Sequence, residues 1–135
     1  MKVKCILDSI NDELAESVGL SGNRPDYYRS ISKGQEYVVL GLSYDPSLVA
    51  YYGGKPVIEI KDNSGRLTAV PIFLFEIIDS VPSKHWQIRY SENGSLTMYP
   101  ESFYKDFYHD DLSEGIPEIV DNFKEVCVKF ESEYT

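Results

Sequence analysis

Little in this chain advertises a reaction. It has two histidines, two cysteines and one tryptophan in 135 residues. There is no Cys-x-x-Cys pair and no Cys/His cluster, which argues against the common structural zinc sites. The glycine-rich GxxxxGK[ST] and GxGxxG loops that cradle phosphates are missing, as is a GxSxG nucleophile elbow. On these grounds no cofactor is expected. No apolar run approaches the roughly eighteen residues of a membrane-spanning helix, so no membrane role is expected either. The opening MKVKCILDSINDEL turns polar by Asp8, too early for the apolar core of a secretory signal, and a cytoplasmic location is the expectation.

Bases are scarce. Thirteen Lys and Arg face 22 Asp and Glu, for a net charge of −9. The imbalance is local: residues 1–100 carry −2, whereas residues 101–135 hold ten acids against three bases. Such a domain repels a phosphate backbone, so nucleic acid is not an expected partner. A basic protein would instead be attracted and steered to the acidic end. Acidity that serves solubility alone is the simpler alternative. Cys5 and Cys127 sit in the apolar stretches VKCIL and EVCVKF and read as buried, reduced thiols.

The length suits one domain, 1–135, with a mainly β portion over 2–100 and an acidic helical extension over 101–135 packed on it. Residues 2–7 read as a short strand, and 8–33 mostly as loop with one helical turn around Asp12 to Val18. QEYVVLGLSY is rich in β-branched and aromatic residues and reads as a strand. PVIEIK alternates with period two, as a half-buried strand does. RLTAVPIFLFEIID continues in extended form, with Pro71 requiring an edge or a bulge. KHWQIRYS and SLTMY are joined by Glu92-Asn93-Gly94, a strong hairpin signal. Five or six short strands imply a small SH3-like barrel or a bent antiparallel sheet. In PEIVDNFKEVCVKFESEY the period changes: Ile119, Val120, Phe123, Val126, Cys127 and Phe130 fall on one helix face, with Pro117 in the first turn.

The densest chemistry lies in SFYKDFYHDDLSEG, residues 102–115. On a helix, Asp106 and Asp110 would share a face, with Glu114 a turn further on. Metal-assisted hydrolysis by His109 and these carboxylates is one reading. Adjacent His109, Asp110 and Asp111 do not converge easily, however, and His85 is the only other histidine. Acid–base catalysis by His85 and His109 is another reading, though nothing places the two together. The i,i+4 pairs Phe103/Phe107 and Tyr104/Tyr108 suggest a short helix with one pair in the core and tyrosine hydroxyls reaching water. Trp86, in an alternating strand, reads as core. Eleven tyrosines, among them Tyr51-Tyr52 in a loop, favour an interaction surface, because tyrosine contributes large contact area at low entropy cost. Tyrosines and acids without a catalytic constellation point to binding.

The run from Lys33-Gly34 and Tyr37, through Pro71, Leu74-Phe75-Glu76 and Asp79, to Ser83 and Trp86 resembles a family of small bacterial proteins with an SH3-like barrel. Several of these resemble immunity proteins of polymorphic or contact-dependent growth-inhibition toxins. The resemblance covers roughly residues 33–90. It implies a non-enzymatic protein that neutralises a cognate toxin by stoichiometric binding; such toxins include nucleases with basic clefts. It carries over no catalytic residue. The expected partner-binding face is Tyr104, Asp106, Tyr108, Asp110, Asp111 and Glu114. A generic adaptor or regulatory domain of the same fold is the alternative.

Overall fold

Strand β2, Glu36–Tyr44, is the axis on which the other elements are assembled. The computed structural model describes residues 1–19, 28–47 and 54–135. Tyr51-Tyr52 therefore lies outside the described residues. Alternation along β2 sends Tyr37 and Val39 into one hydrophobic cluster while Leu40 enters a second, with Val38 packed against that second one. One flank of β2 pairs with β3, Val57–Lys61. The other flank is shared: its first part pairs with β1, Lys2–Cys5, and its last part with β7, Leu96–Pro100. Each neighbour takes one further antiparallel partner. These are β4 (Leu67–Pro71) on β3, β5 (Phe75–Asp79) on β1, and β6 (Trp86–Tyr90) on β7.

The result is a seven-stranded, forked antiparallel sheet. It is mainly β with a C-terminal helix, as the sequence implies, but the sheet is open and no barrel closes. The strand number also exceeds the expected five or six. The stretch from Leu67 to Asp79 is two strands rather than one, because a 3₁₀ turn over Ile72–Leu74 separates β4 from β5. Pro71 ends β4 at an edge, where its missing N–H is harmless. The 91–95 loop has its predicted form: Gly94 takes φ +89° as the Ser91 and Ser95 backbones close the hairpin.

The first cluster includes Val3, Cys5, Val39, Ile58, Ile60, Val70 and Leu74. It is capped by Ile10 and Ala15 around helix α1, Asp12–Ser17, and by Tyr28 and Ile31. Thus the polar 8–33 stretch still supplies buried anchors, and a loop on the surface alone would not explain them. The second cluster lies under helix α3, Pro117–Glu131, with Pro117 in its first turn. Ile119, Phe123, Val126, Cys127 and Phe130 are all buried there, on the helix face expected from their spacing. Burial of each large side chain contributes about 1.5–3 kcal/mol. Trp86 packs against both clusters, and its indole N–H donates to the Leu40 carbonyl at 2.9 Å. Both cysteines are free and buried. Among the described residues no helix is long and apolar enough to cross a membrane.

Candidate functional site

The segment after β7 turns twice before it becomes helical. Pro100 leads into a 3₁₀ turn over Glu101–Tyr104; Lys105 is extended; helix α2 then runs over Tyr108–Ser113. Between them Phe107 sits at φ +63°, ψ 15°, the left-handed region, and is the only non-glycine at positive φ among the described residues. A bulky residue held there carries roughly 1–2 kcal/mol of strain. What enforces it lies on either side. Phe103 is 4% and Tyr108 1% exposed, their rings 5.0 Å apart, and the Tyr108 hydroxyl donates to Asn122 Oδ1 at 2.8 Å. With both neighbours anchored, the peptide between them must reverse, and Phe107 is turned outward, 74% exposed.

This geometry redistributes the expected face. Tyr108 cannot anchor a partner, because its ring and hydroxyl belong to the core beneath α3. Phe103 and Phe107 do not act as an i,i+4 pair, since the left-handed residue breaks the helix between them. Asp106 lies outside α2 for the same reason and is exposed, whereas Asp110 in α2 and Glu114 at its C-cap, one turn on, are also exposed; Asp111 is half-buried. Tyr104 is half-buried: its hydroxyl donates to the Gln87 carbonyl at 2.8 Å and lies 2.7 Å from Thr97 Oγ1. The Arg89 guanidinium stacks 3.8 Å above its ring. Tyr104 therefore fastens the turn to the β6–β7 hairpin. Of the expected face Asp106, Asp110 and Glu114 are exposed, and so are Phe107 and Lys105 beside Asp106.

His109 pairs with a residue that the sequence places elsewhere. Its Nε2 lies 2.8 Å from Oε1 of Glu59, a β3 side chain 9% exposed. Ile58 and Ile60 face the first cluster, so alternation turns Glu59 to the opposite face of the sheet, under α2. The space above it exists because of a bulge in β2 around Leu40 that brings Gly41 opposite Glu59. A Cβ on Gly41 would meet the Tyr99 ring at 2.6 Å and Glu59 Oε2 at 3.0 Å. Only glycine leaves that room. Among the described residues Oε2 itself has no hydrogen-bond partner.

The hydrogen bond to Glu59 raises the His109 pKa; burial opposes it, and the charges of Glu59 and Asp110 add to it. The shift favours the imidazolium form, which Glu59 stabilises as its hydrogen-bonded counter-charge. Burial, with the charge of Glu59 adding, pushes Tyr99 up to about 12, and burial pushes Tyr108 to about 12 and the Cys127 thiol to about 11. Among the described residues no three His, Cys, Asp or Glu side chains converge as metal ligands. His85 interacts with Glu133 and packs on Phe130, and it lines a different cavity from His109.

Two site residues escape the sequence. Glu59 reads as a solvent-facing position of an alternating strand, and only Gly41 in the middle of an apolar strand hints at a close approach. Phe107 carries no signal, because left-handed turns are announced by Gly or Asn. Compared with known proteins, the chain matches no family model, no curated protein and no solved structure.

Proposed function

We propose that this chain is a non-enzymatic, cytoplasmic immunity protein that neutralises a cognate toxin by stoichiometric binding. Its docking face is Asp106, Phe107, Asp110 and Glu114, with Asp111 and the ring of Tyr104 at the margin. The observation that carries this reading is Phe107. An aromatic ring 74% exposed in a strained backbone turn adds nothing to the fold that glycine would not provide at lower energy. Strain maintained at an exposed aromatic suits a binding anchor, because strained backbone clusters at ligand clamps and interface cores are rich in aromatics. The surrounding carboxylates suit a basic partner surface, and the excess of acid in residues 101–135 would steer its approach.

Co-expression with the protein encoded immediately upstream tests this, with growth rescue and co-purification as readouts. Rescue with a one-to-one complex is expected. Phe107→Gly should then weaken the complex by about 2 kcal/mol or more, the loss typical of an anchor residue. Asp106→Lys with Asp110→Lys should reduce association most strongly at low salt. A complex that survives both changes would remove this face from the interface. A harmless neighbour bound through the same face would make the chain an adaptor.

A further inference from the structure

The hairpin turn between β3 and β4 and the outer sides of α2 and α3 enclose an open groove of about 600 Å³. Its size is that of a small-molecule pocket. Two ties that begin on one face of β3 hold the walls. Glu59 reaches His109 on α2, and two residues along, Lys61 reaches Glu131 on α3 at 2.7 Å. The wall is aliphatic: Leu67, Leu112 and Val120 are half-buried and Val128 is 66% exposed, with the Phe123 ring beneath. Val128 and Val120 present apolar surface that neither cluster covers.

The charge at this groove inverts that of the molecule. In a chain of net charge −9 the groove is lined by Lys61, Arg66, Lys124 and His109 and by one carboxylate, Glu131. That carboxylate is engaged by Lys61. Arg66 and Lys124 are exposed, and among the described residues neither is paired with a carboxylate. An aliphatic wall with unpaired cations at its rim matches a ligand that is apolar along its length and anionic at one end. A cation or a basic peptide would meet repulsion there.

We propose that this groove binds an amphipathic carboxylate. An unbranched aliphatic chain lies along Leu67, Leu112, Val120 and Val128, and the headgroup is met by Arg66 and Lys124. The site shares α2 with the proposed docking face, since His109, Leu112 and Ser113 line the groove, but it does not depend on a protein partner. Burial pushes the thiol of Cys127, in the floor, up to about 11.

Decanoate, kept below micelle formation, is the probe, and backbone amide shifts of the labelled full chain are the readout. Saturable shifts confined to the hairpin turn, α2 and the groove side of α3 are expected. Decyltrimethylammonium, of equal chain length and opposite charge, should leave them unmoved. Arg66→Glu with Lys124→Glu should weaken decanoate by tenfold or more, and both side chains are exposed enough for the fold to persist. Equal binding of the two amphiphiles would overturn the proposal. So would the absence of saturable shifts at about 1 mM, the scale of a −4 kcal/mol interaction. Attachment to anionic vesicles without binding of monomeric decanoate would assign the groove to a membrane surface and sink it equally.

Discussion

Replacing His109 with alanine leaves the Glu59 carboxylate 9% exposed without its cation. Breaking a fully buried pair in this way costs about 3–5 kcal/mol, and an exposed pair contributes about 0–1. Here the carboxylate is buried but the imidazole is 42% exposed, so water screens one partner. An intermediate loss of about 2 kcal/mol follows for the charge, with about 1 kcal/mol more for ring contacts to Tyr99, Phe103 and Tyr108. The two parts separate by pH. His109 has a folded pKa raised above its unfolded value of about 6.5. Its charge contribution is therefore complete below about pH 6.5 and disappears as pH climbs through the raised value. Urea unfolding at pH 6 should show His109→Ala losing about 3 kcal/mol, a midpoint shift of 1 M or more at ordinary m-values. At pH 9 the loss should fall to about 1 kcal/mol. In a Glu59→Gln background the pH dependence of the loss should shrink to the smaller contributions of burial and Asp110. Equal losses at pH 6 and pH 9 would refute the ion pair, as would a total loss below about 0.5 kcal/mol.

Gly41→Ala should destabilise the fold by about 1–3 kcal/mol, because the added methyl overlaps Tyr99 and Glu59. Urea midpoints would check this, and an unchanged midpoint would mean that the bulge relaxes freely. Both thiols should resist Ellman's reagent at pH 8 in the native state and react promptly in urea, since burial covers Cys5 and Cys127 and raises both pKa values. Fast native labelling of Cys127 would show that α3 lifts from the sheet.

What was legible in the sequence was whatever a local period or a turn residue encodes. The alternation of β3, the Asn93-Gly94 turn and the apolar stripe of α3 all stand where their patterns put them. What was hidden depends on contacts distant in sequence. Glu59 is buried because a bulge twenty residues earlier and a helix fifty residues later make room for it. Tyr108 rather than Phe107 enters the core because anchoring of Phe103 and Tyr108 overrides the i,i+4 spacing at a left-handed residue. Which of the two expected forms, barrel or bent open sheet, the chain adopts was hidden as well: which strands meet across β2 is a matter of long-range pairing, on which strand count is silent.

The fork of the sheet at β2 divides labour within one small chain. The β1–β5 arm and the first cluster form a chassis, while Phe103 and Tyr108 of the 101–116 turn belong to the second cluster. That turn is mounted on the β7–β6 arm and on α3. Tyr37 and Val39 serve the first half and Leu40 the second, so the strand couples the two halves mechanically while leaving them separately editable. Under the proposed function, related chains would exchange this turn, one short loop at a time, and keep the same chassis. Divergence among them should be concentrated between Pro100 and Gly115, with the alternating positions of β2 held fixed.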